Sequence, residues 1–221
     1  MVNCLDEIIN LKDPTGIVLS EWDRPNGLHI QKVSVPLGVI GFIYESRPNV
    51  TVDASAIAIK AGNSVILRGG KDSFHSSQKL NEIINKSFTG AGLPDNSVQM
   101  VPTADRTAVN EMLKLDSYID VIIPRGGKSL IQNVKEKSSI PIIKHLEGIC
   151  HVYVDKDADI SIAKEIIFNS KMRSPGICGA AETLLIDKAI SKNSLALLNN
   201  LVDAECEIRG DSFIHSLDNK F

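Results

Sequence analysis

Between residues 36 and 143 the chain repeats one pattern: a short apolar run, a loop marked by glycine or proline, then a segment of helical periodicity. The apolar runs fall at 36–44, 64–67, 98–101 and 118–123, with a shorter one at 141–143. The first is continuous and rich in β-branched residues, as a strand buried on both faces is, and 64–67 reads as a second buried strand. The intervening segments 52–60, 73–88, 105–113 and 130–136 read as helices. Asp53 suits the positive end of the first, and Gly62 and Gly90 close the first two. Strands alternating with helices leave few arrangements, because crossovers between parallel strands are right-handed. The expected class is α/β, a Rossmann-like parallel sheet with helices on both faces.

The flanks depart from this pattern. Ahead of it, residues 4–10 suit a short amphipathic helix and Asp13-Pro14-Thr15-Gly16 a turn. Arg24-Pro25-Asn26-Gly27 suits a hairpin turn in which Asn-Gly supplies positive φ angles, leading into a strand at 29–33. Past a junction near 145–150 come a strand at 151–154, a helix at 160–171, a strand at 183–186 and a helix at 191–202. So few strands do not close a sheet around their own core. The expected units are a cofactor-binding domain over 1–147, a partial catalytic domain over 148–208 and an atypical tail over 209–221.

Composition narrows the function classes. A net charge of −3 on 221 residues carries no signature of nucleic-acid or membrane binding. No apolar run reaches the length that spans a bilayer. The four cysteines, Cys4, Cys150, Cys178 and Cys206, show neither metal-site spacing nor a disulfide framework. A cytoplasmic protein with free thiols and no metal is expected.

Three loops at strand ends carry the chemistry. Arg68-Gly69-Gly70-Lys71 and Arg125-Gly126-Gly127-Lys128 each follow an apolar run and precede a helix. Glycine permits close backbone approach, helix N-termini offer unpaired N–H groups, and the cations neutralise phosphate. Each loop alone is ordinary turn punctuation; two on one sheet edge point to a phosphorylated ligand. Glu45-Ser46-Arg47-Pro48-Asn49 offers an amide that can donate to an oxyanion, although asparagine is also a common turn former. Beyond the junction, Ser174-Pro175-Gly176-Ile177-Cys178-Gly179-Ala180-Ala181 sets one cysteine among small residues. A thiolate there can attack an acyl carbon; a packed core thiol is the alternative. Cys4, Cys150 and Cys206 fit the packed role better, on a helix and two strands.

Four long segments resemble the gamma-glutamyl phosphate reductase family, a branch of the aldehyde dehydrogenase superfamily. They are 36–51, with its Glu45-Ser46-Arg47-Pro48-Asn49; 62–71; 122–128, with its Pro124-Arg125-Gly126-Gly127-Lys128; and 142–155, with its Lys144-His145-Leu146-Glu147-Gly148. The stretch 174–185 resembles the family's catalytic segment. The resemblance implies that Cys178 attacks the acyl phosphate of L-glutamyl 5-phosphate, expels phosphate and leaves a thioester. NADPH would then reduce that thioester to L-glutamate 5-semialdehyde, in proline biosynthesis. It implies that Asn49, with the cysteine's backbone N–H, forms the oxyanion hole. It places Arg68, Gly69, Gly70 and Lys71 at the adenosine ribose and 2′-phosphate, and Arg125, Gly126, Gly127 and Lys128 at the pyrophosphate. Aldehyde-oxidising relatives carry a general-base glutamate near His145; here the stretch is His145-Leu146-Glu147, which suits a thioester that is to be reduced and not hydrolysed.

Two departures bear on activity. Gly179 stands where the family usually has asparagine. The resemblance also implies a helical region ahead of residue 1 and most of a catalytic domain beyond about residue 205, both expected to be missing here. Two expectations follow. One is an NADP-dependent oxidoreductase whose partner is a second copy or a complementing polypeptide. The other is a truncated, silent relative or a nucleotide-binding module.

Overall fold

A computed structural model of the chain describes residues 1–145 and 148–217. Glu147, and the last part of the tail, lie outside the described residues. The chain divides into two compact units, Met1–Leu146 and Glu147–Phe221.

The first unit is built on four parallel strands: β3 (Val39–Tyr44), β4 (Ser64–Arg68), β5 (Val98–Met100) and β6 (Val121–Arg125), in the order β5-β4-β3-β6. Alternate side chains on each strand enter different cores, as the period of two dictates. Ile40, Tyr44, Val65, Leu67, Val98 and Val121 pack on one face with Ala54 and Ala58 of α2 (Pro48–Lys60). Ile84 and Phe88 of α3 (Phe74–Gly90) join them there. Ile43 and Ile122 turn to the other face, against Val109 and Met112 of α4 (Thr107–Met112) and Val134 of α5 (Lys128–Lys137). Helices therefore cover both faces, as the continuous apolar runs require.

Several boundaries differ from the sequence reading, each for a physical reason. α2 begins at Pro48, four residues before the expected start, because proline is well placed at the first helical position, where its missing N–H costs nothing. β6 runs through Pro124, where the sequence reading stopped. Only β3 of the four-stranded sheet flanks β6, so the missing N–H of Pro124 breaks no ladder on its far side. Tyr118 and Ile119 were expected to begin that strand. They form a turn instead, and Ile119 is buried as a plug beneath α4. Residues 141–143 contribute one parallel bridge, Ile122 to Ile142.

Ahead of this sheet lie α1 (Val2–Asn10) and an antiparallel hairpin of β1 (Val18–Asp23) and β2 (His29–Val33). The hairpin is as expected, but its turn is not. Only Gly27 has positive φ, +85°, and the Arg24 N–H donates to Leu28 O at 2.8 Å. This is a three-residue loop closed by glycine, not a two-residue Asn-Gly turn.

The second unit pairs β7 (Cys150–Val154) and β8 (Ala181–Ile186) in parallel. α6 (Ile160–Met172) and α7 (Ser194–Asp203) cover them through Ala163, Ile167, Leu197, Leu198 and Leu201. Cys206 lies in the loop after α7 and not on a strand. The tail forms a short helix, α8 (Ser212–Leu217), whose Ile214 packs against the same core.

Asp159 caps α6: its Oδ1 accepts the N–H of Ser161 at 2.8 Å and of Ile162 at 3.1 Å, and the Ser161 hydroxyl at 2.6 Å. The Ser161 hydroxyl first, then the two N–H groups, hold this carboxyl below its ordinary range. A carboxylate depressed on folding adds stability above its unfolded pKa, about 3.9, which is lost as pH falls through the folded value. Asp159→Ala is thus expected to lower the urea midpoint at pH 7. Its gap from the parent should stay constant down to about pH 5 and narrow below about pH 4. A gap equally wide at pH 2.5 would show that the cap acts without its charge.

Candidate functional site

In the first unit the C-terminal ends of the parallel strands open on a cleft of about 1120 Å³. Ligands of open α/β sheets bind at this edge. The loop after β3 supplies Glu45, Ser46 and Arg47; the end of β4 and the turn after it supply Arg68, Gly70, Lys71 and Asp72; the loop after β5 supplies Ala104, Asp105 and Arg106. Ser129, Leu130 and Asn133 of α5 close the opposite wall.

The glycines of both RGGK loops are explained by crowding. A Cβ on Gly70 would stand 2.6 Å from Ser46 Oγ and 2.8 Å from Ser46 N. One on Gly126 would stand 2.7 Å from Glu45 Cγ and Cδ. One on Gly69 would stand 3.1 Å from Tyr44 Cζ. The Tyr44 hydroxyl is itself fixed on Thr51 Oγ1 at 2.7 Å, which ties β3 to α2.

Arg68 is only 7% exposed. Its Nη2 donates to Ala104 O at 2.9 Å and to Asp105 O at 3.0 Å, and its Nε is enclosed without an acceptor. Burial, then the nearby Arg106 charge, pull its pKa down, while Asp105 opposes them. Lys71 is exposed on the cleft wall. Arg125, Gly126, Gly127 and Lys128 lie beside the cleft, at the start of α5.

Two residues that the sequence reading passed over stand out. Glu45 accepts the Gly127 N–H on Oε1 at 2.8 Å, so a carboxylate occupies the N-terminus of α5. Arg106 follows the loop that Arg68 holds. The signal for both was positional: Glu45 directly follows the run 36–44 and Arg106 lies five residues past the run 98–101, and the C-terminal ends of both runs share one edge of the sheet.

Asn49 lies in the first turn of α2 and is exposed; its Nδ2 donates to Asp53 Oδ2 at 3.1 Å. Cys178 belongs to the second unit, in an exposed turn between α6 and β8. Bonds from Ile177 N to Ser174 O at 3.2 Å and from Ala180 N to Ile177 O at 3.1 Å shape that turn. The Cys150 thiol donates to Cys178 O at 3.3 Å, tethering the turn to β7. Its thiol is therefore not a buried core group. A Cβ on Gly179 meets nothing within 4 Å, so local packing does not demand glycine there. Among the described residues no group of three or more metal-ligating side chains converges, and no helix is long and apolar enough to cross a membrane.

This fold and site have a known family. The model of the aldehyde dehydrogenase family matches residues 10–209, and the chain belongs to that family. Within it, the chain is 57% identical over 219 residues to gamma-glutamyl phosphate reductase of Paramagnetospirillum magneticum, covering 99% of this chain and 52% of that protein. It is 56% identical over 212 residues to the enzyme of the same name from Brucella suis, covering 95% and 50%. The crystal structure of gamma-glutamyl phosphate reductase from Thermotoga maritima superposes with a TM-score of 0.88 at 39% identity, covering 97% of this chain and 52% of that one. An acetylating aldehyde dehydrogenase from Geobacillus thermoglucosidasius shares the fold, with a TM-score of 0.65 at 22% identity. The chain spans about half the length of the curated relatives it matches.

Proposed function

We propose that this chain carries the cofactor-binding unit and the nucleophile of an NADP-dependent reductase acting on L-glutamyl 5-phosphate. Its products would be L-glutamate 5-semialdehyde and phosphate, in the biosynthesis of proline in the cytoplasm. The observation that carries this reading is the exposed Cys178 turn, in a chain 57% identical to a protein named for this reaction.

The cleft fits a dinucleotide. A buried arginine and the exposed Lys71 contribute positive charge to its wall. Gly69, Gly70 and Lys71 would hold the adenosine ribose side, with Arg68 buried behind them as the support of the wall, and Arg125, Gly126, Gly127 and Lys128 the pyrophosphate. When bound, the reduced nicotinamide supplies hydride. The chain's own part is the thiol chemistry: Cys178 Sγ attacks the acyl carbon, and the carbon–oxygen bond to phosphate breaks as the carbon–sulfur bond forms. Phosphate leaves with that electron pair and the thiol proton passes to solvent. Asn49 and the Cys178 backbone N–H are the proposed donors to the oxyanion.

The test is the reverse reaction: phosphate-dependent reduction of NADP⁺ by glutamate semialdehyde, with Cys178→Ala as control. Turnover lost in the control supports the reading; no turnover from the folded parent chain contradicts it.

Glu45 gives a separate prediction. Its carboxylate and a pyrophosphate compete for the same helix N-terminus, where negative charge is favoured. Glu45→Gln keeps an acceptor for the Gly127 N–H but removes the charge. NADPH should then bind more tightly, by about two- to fivefold, in a fluorescence titration at fixed ionic strength. Weaker binding would show that the carboxylate assists the ligand.

A further inference from the structure

The cofactor reading from the sequence sets Arg68 and Lys71 beside the 2′-phosphate, where they would distinguish NADP from NAD. Arg68 is poorly placed to do it directly. Its Nη2 is committed to two carbonyls at 2.9 and 3.0 Å, its Nε is enclosed, and the residue is 7% exposed. Turning its fork towards a phosphate would break both bonds and leave two carbonyls unpaired.

What Arg68 does is hold the loop after β5. That loop is fixed twice more: Thr103 Oγ1 accepts the Asp105 N–H at 3.1 Å, and Asp105 Oδ1 accepts the Thr107 N–H at 2.9 Å. The residue between these anchors, Arg106, is exposed on the cleft wall and makes no ion pair among the described residues. β5 neighbours β4, so the loop bearing Arg106 adjoins the loop bearing Lys71, and both face the same cleft.

We propose that Arg106, held in place by Arg68, contacts the 2′-phosphate of the dinucleotide alongside Lys71 and sets the preference for NADP(H) over NAD(H). This rests on the nucleotide reading of the cleft given above. The chemistry is direct. A phosphate monoester offers a doubly charged group with three acceptor oxygens, which the planar guanidinium fork meets with paired hydrogen bonds. A ribose hydroxyl in its place offers no such match, and an exposed arginine then stays hydrated at little cost. Burial first, and then the like charge of Arg106, lower the Arg68 pKa, so the two guanidinium groups oppose one another. A dianion beside them relieves that repulsion. Arg68 is thus a positioning residue, and Arg106 the one that touches ligand.

The test is a fluorescence titration of the full chain with NADPH and with NADH, for the parent, Arg106→Gln, Arg106→Lys and Arg68→Lys. Arg106→Gln should weaken NADPH by about tenfold or more and leave NADH nearly unchanged. Arg106→Lys should retain part of the preference, because the charge stays while the fork is lost. Arg68→Lys, which cannot reproduce the guanidinium's hold on the loop, should lose part of the same preference. Equal weakening of both dinucleotides by Arg106→Gln, or no effect on NADPH, overturns the inference. If the parent binds neither dinucleotide, the nucleotide reading itself fails. The inference is then decided with 2′-AMP against 5′-AMP: a preference for 2′-AMP that Arg106→Gln removes supports it, and no preference overturns it.

Discussion

Cys178→Ala is expected to abolish acyl transfer, with a fall on the order of 10⁵-fold in the rate of phosphate release from the acyl phosphate. Alanine has no atom to form the carbon–sulfur bond, so neighbouring groups have nothing to assist. The turn that presents Cys178 is held by backbone bonds and by the Cys150 thiol on Cys178 O, none of which uses the Cys178 side chain. The substituted chain should therefore keep the parent's circular dichroism and urea midpoint. The other thiols give the matched control: Cys206→Ala should leave phosphate release within about twofold of the parent, because Cys206 packs in the core of the second unit. Equal losses from both substitutions would mean that the fold, and not the nucleophile, had been removed.

The largest effect on stability is expected at Leu67. It is 0% exposed, on β4, with Phe42 and Met100 as register partners on either side. It packs in the core that the sheet shares with α2 and α3. Truncation to alanine removes three carbons from a site enclosed by neighbouring strands, which cannot collapse freely. Leu67→Ala should cost the first unit about 2–5 kcal/mol, read from urea unfolding by circular dichroism. Leu67→Met, which nearly conserves volume, should cost less than about 1.5 kcal/mol. A loss below about 1 kcal/mol for alanine would contradict close packing on this face.

The parallel sheet was legible because strands covered on both faces must be apolar along their length, and 39–44 and 65–67 are. The same logic misled at Tyr118 and Ile119. Ile119 is buried, but under a helix and outside the ladder, and burial alone does not distinguish the two. Prolines were read as breaks, yet Pro48 opens a helix, and the Pro124 nitrogen faces away from β3, as does the Ile122 N–H that donates to Pro141 O. Both prolines stand where a missing N–H is harmless.

The candidate site was legible where glycine marked it. Gly70 and Gly126 are required by Ser46 and Glu45, side chains distant in sequence that no local pattern links to them. The role of Arg68 was hidden for the same reason. Its partners, Ala104 and Asp105, lie 36 and 37 residues further on, and only the folded chain brings them within reach. Cys178 could be singled out by its small neighbours, but whether it was core or exposed rested on the turn that the structure supplies.

The most direct test of the central claim needs no cofactor. The chain is mixed with freshly prepared L-glutamyl 5-phosphate in the absence of NADPH, quenched in acid, digested and weighed peptide by peptide. The account predicts that the peptide bearing Cys178 gains one glutamyl group as a thioester, that one phosphate is released per chain, and that Cys178→Ala shows neither. A glutamyl group on Cys150 or Cys206, or phosphate release that survives Cys178→Ala, would contradict it.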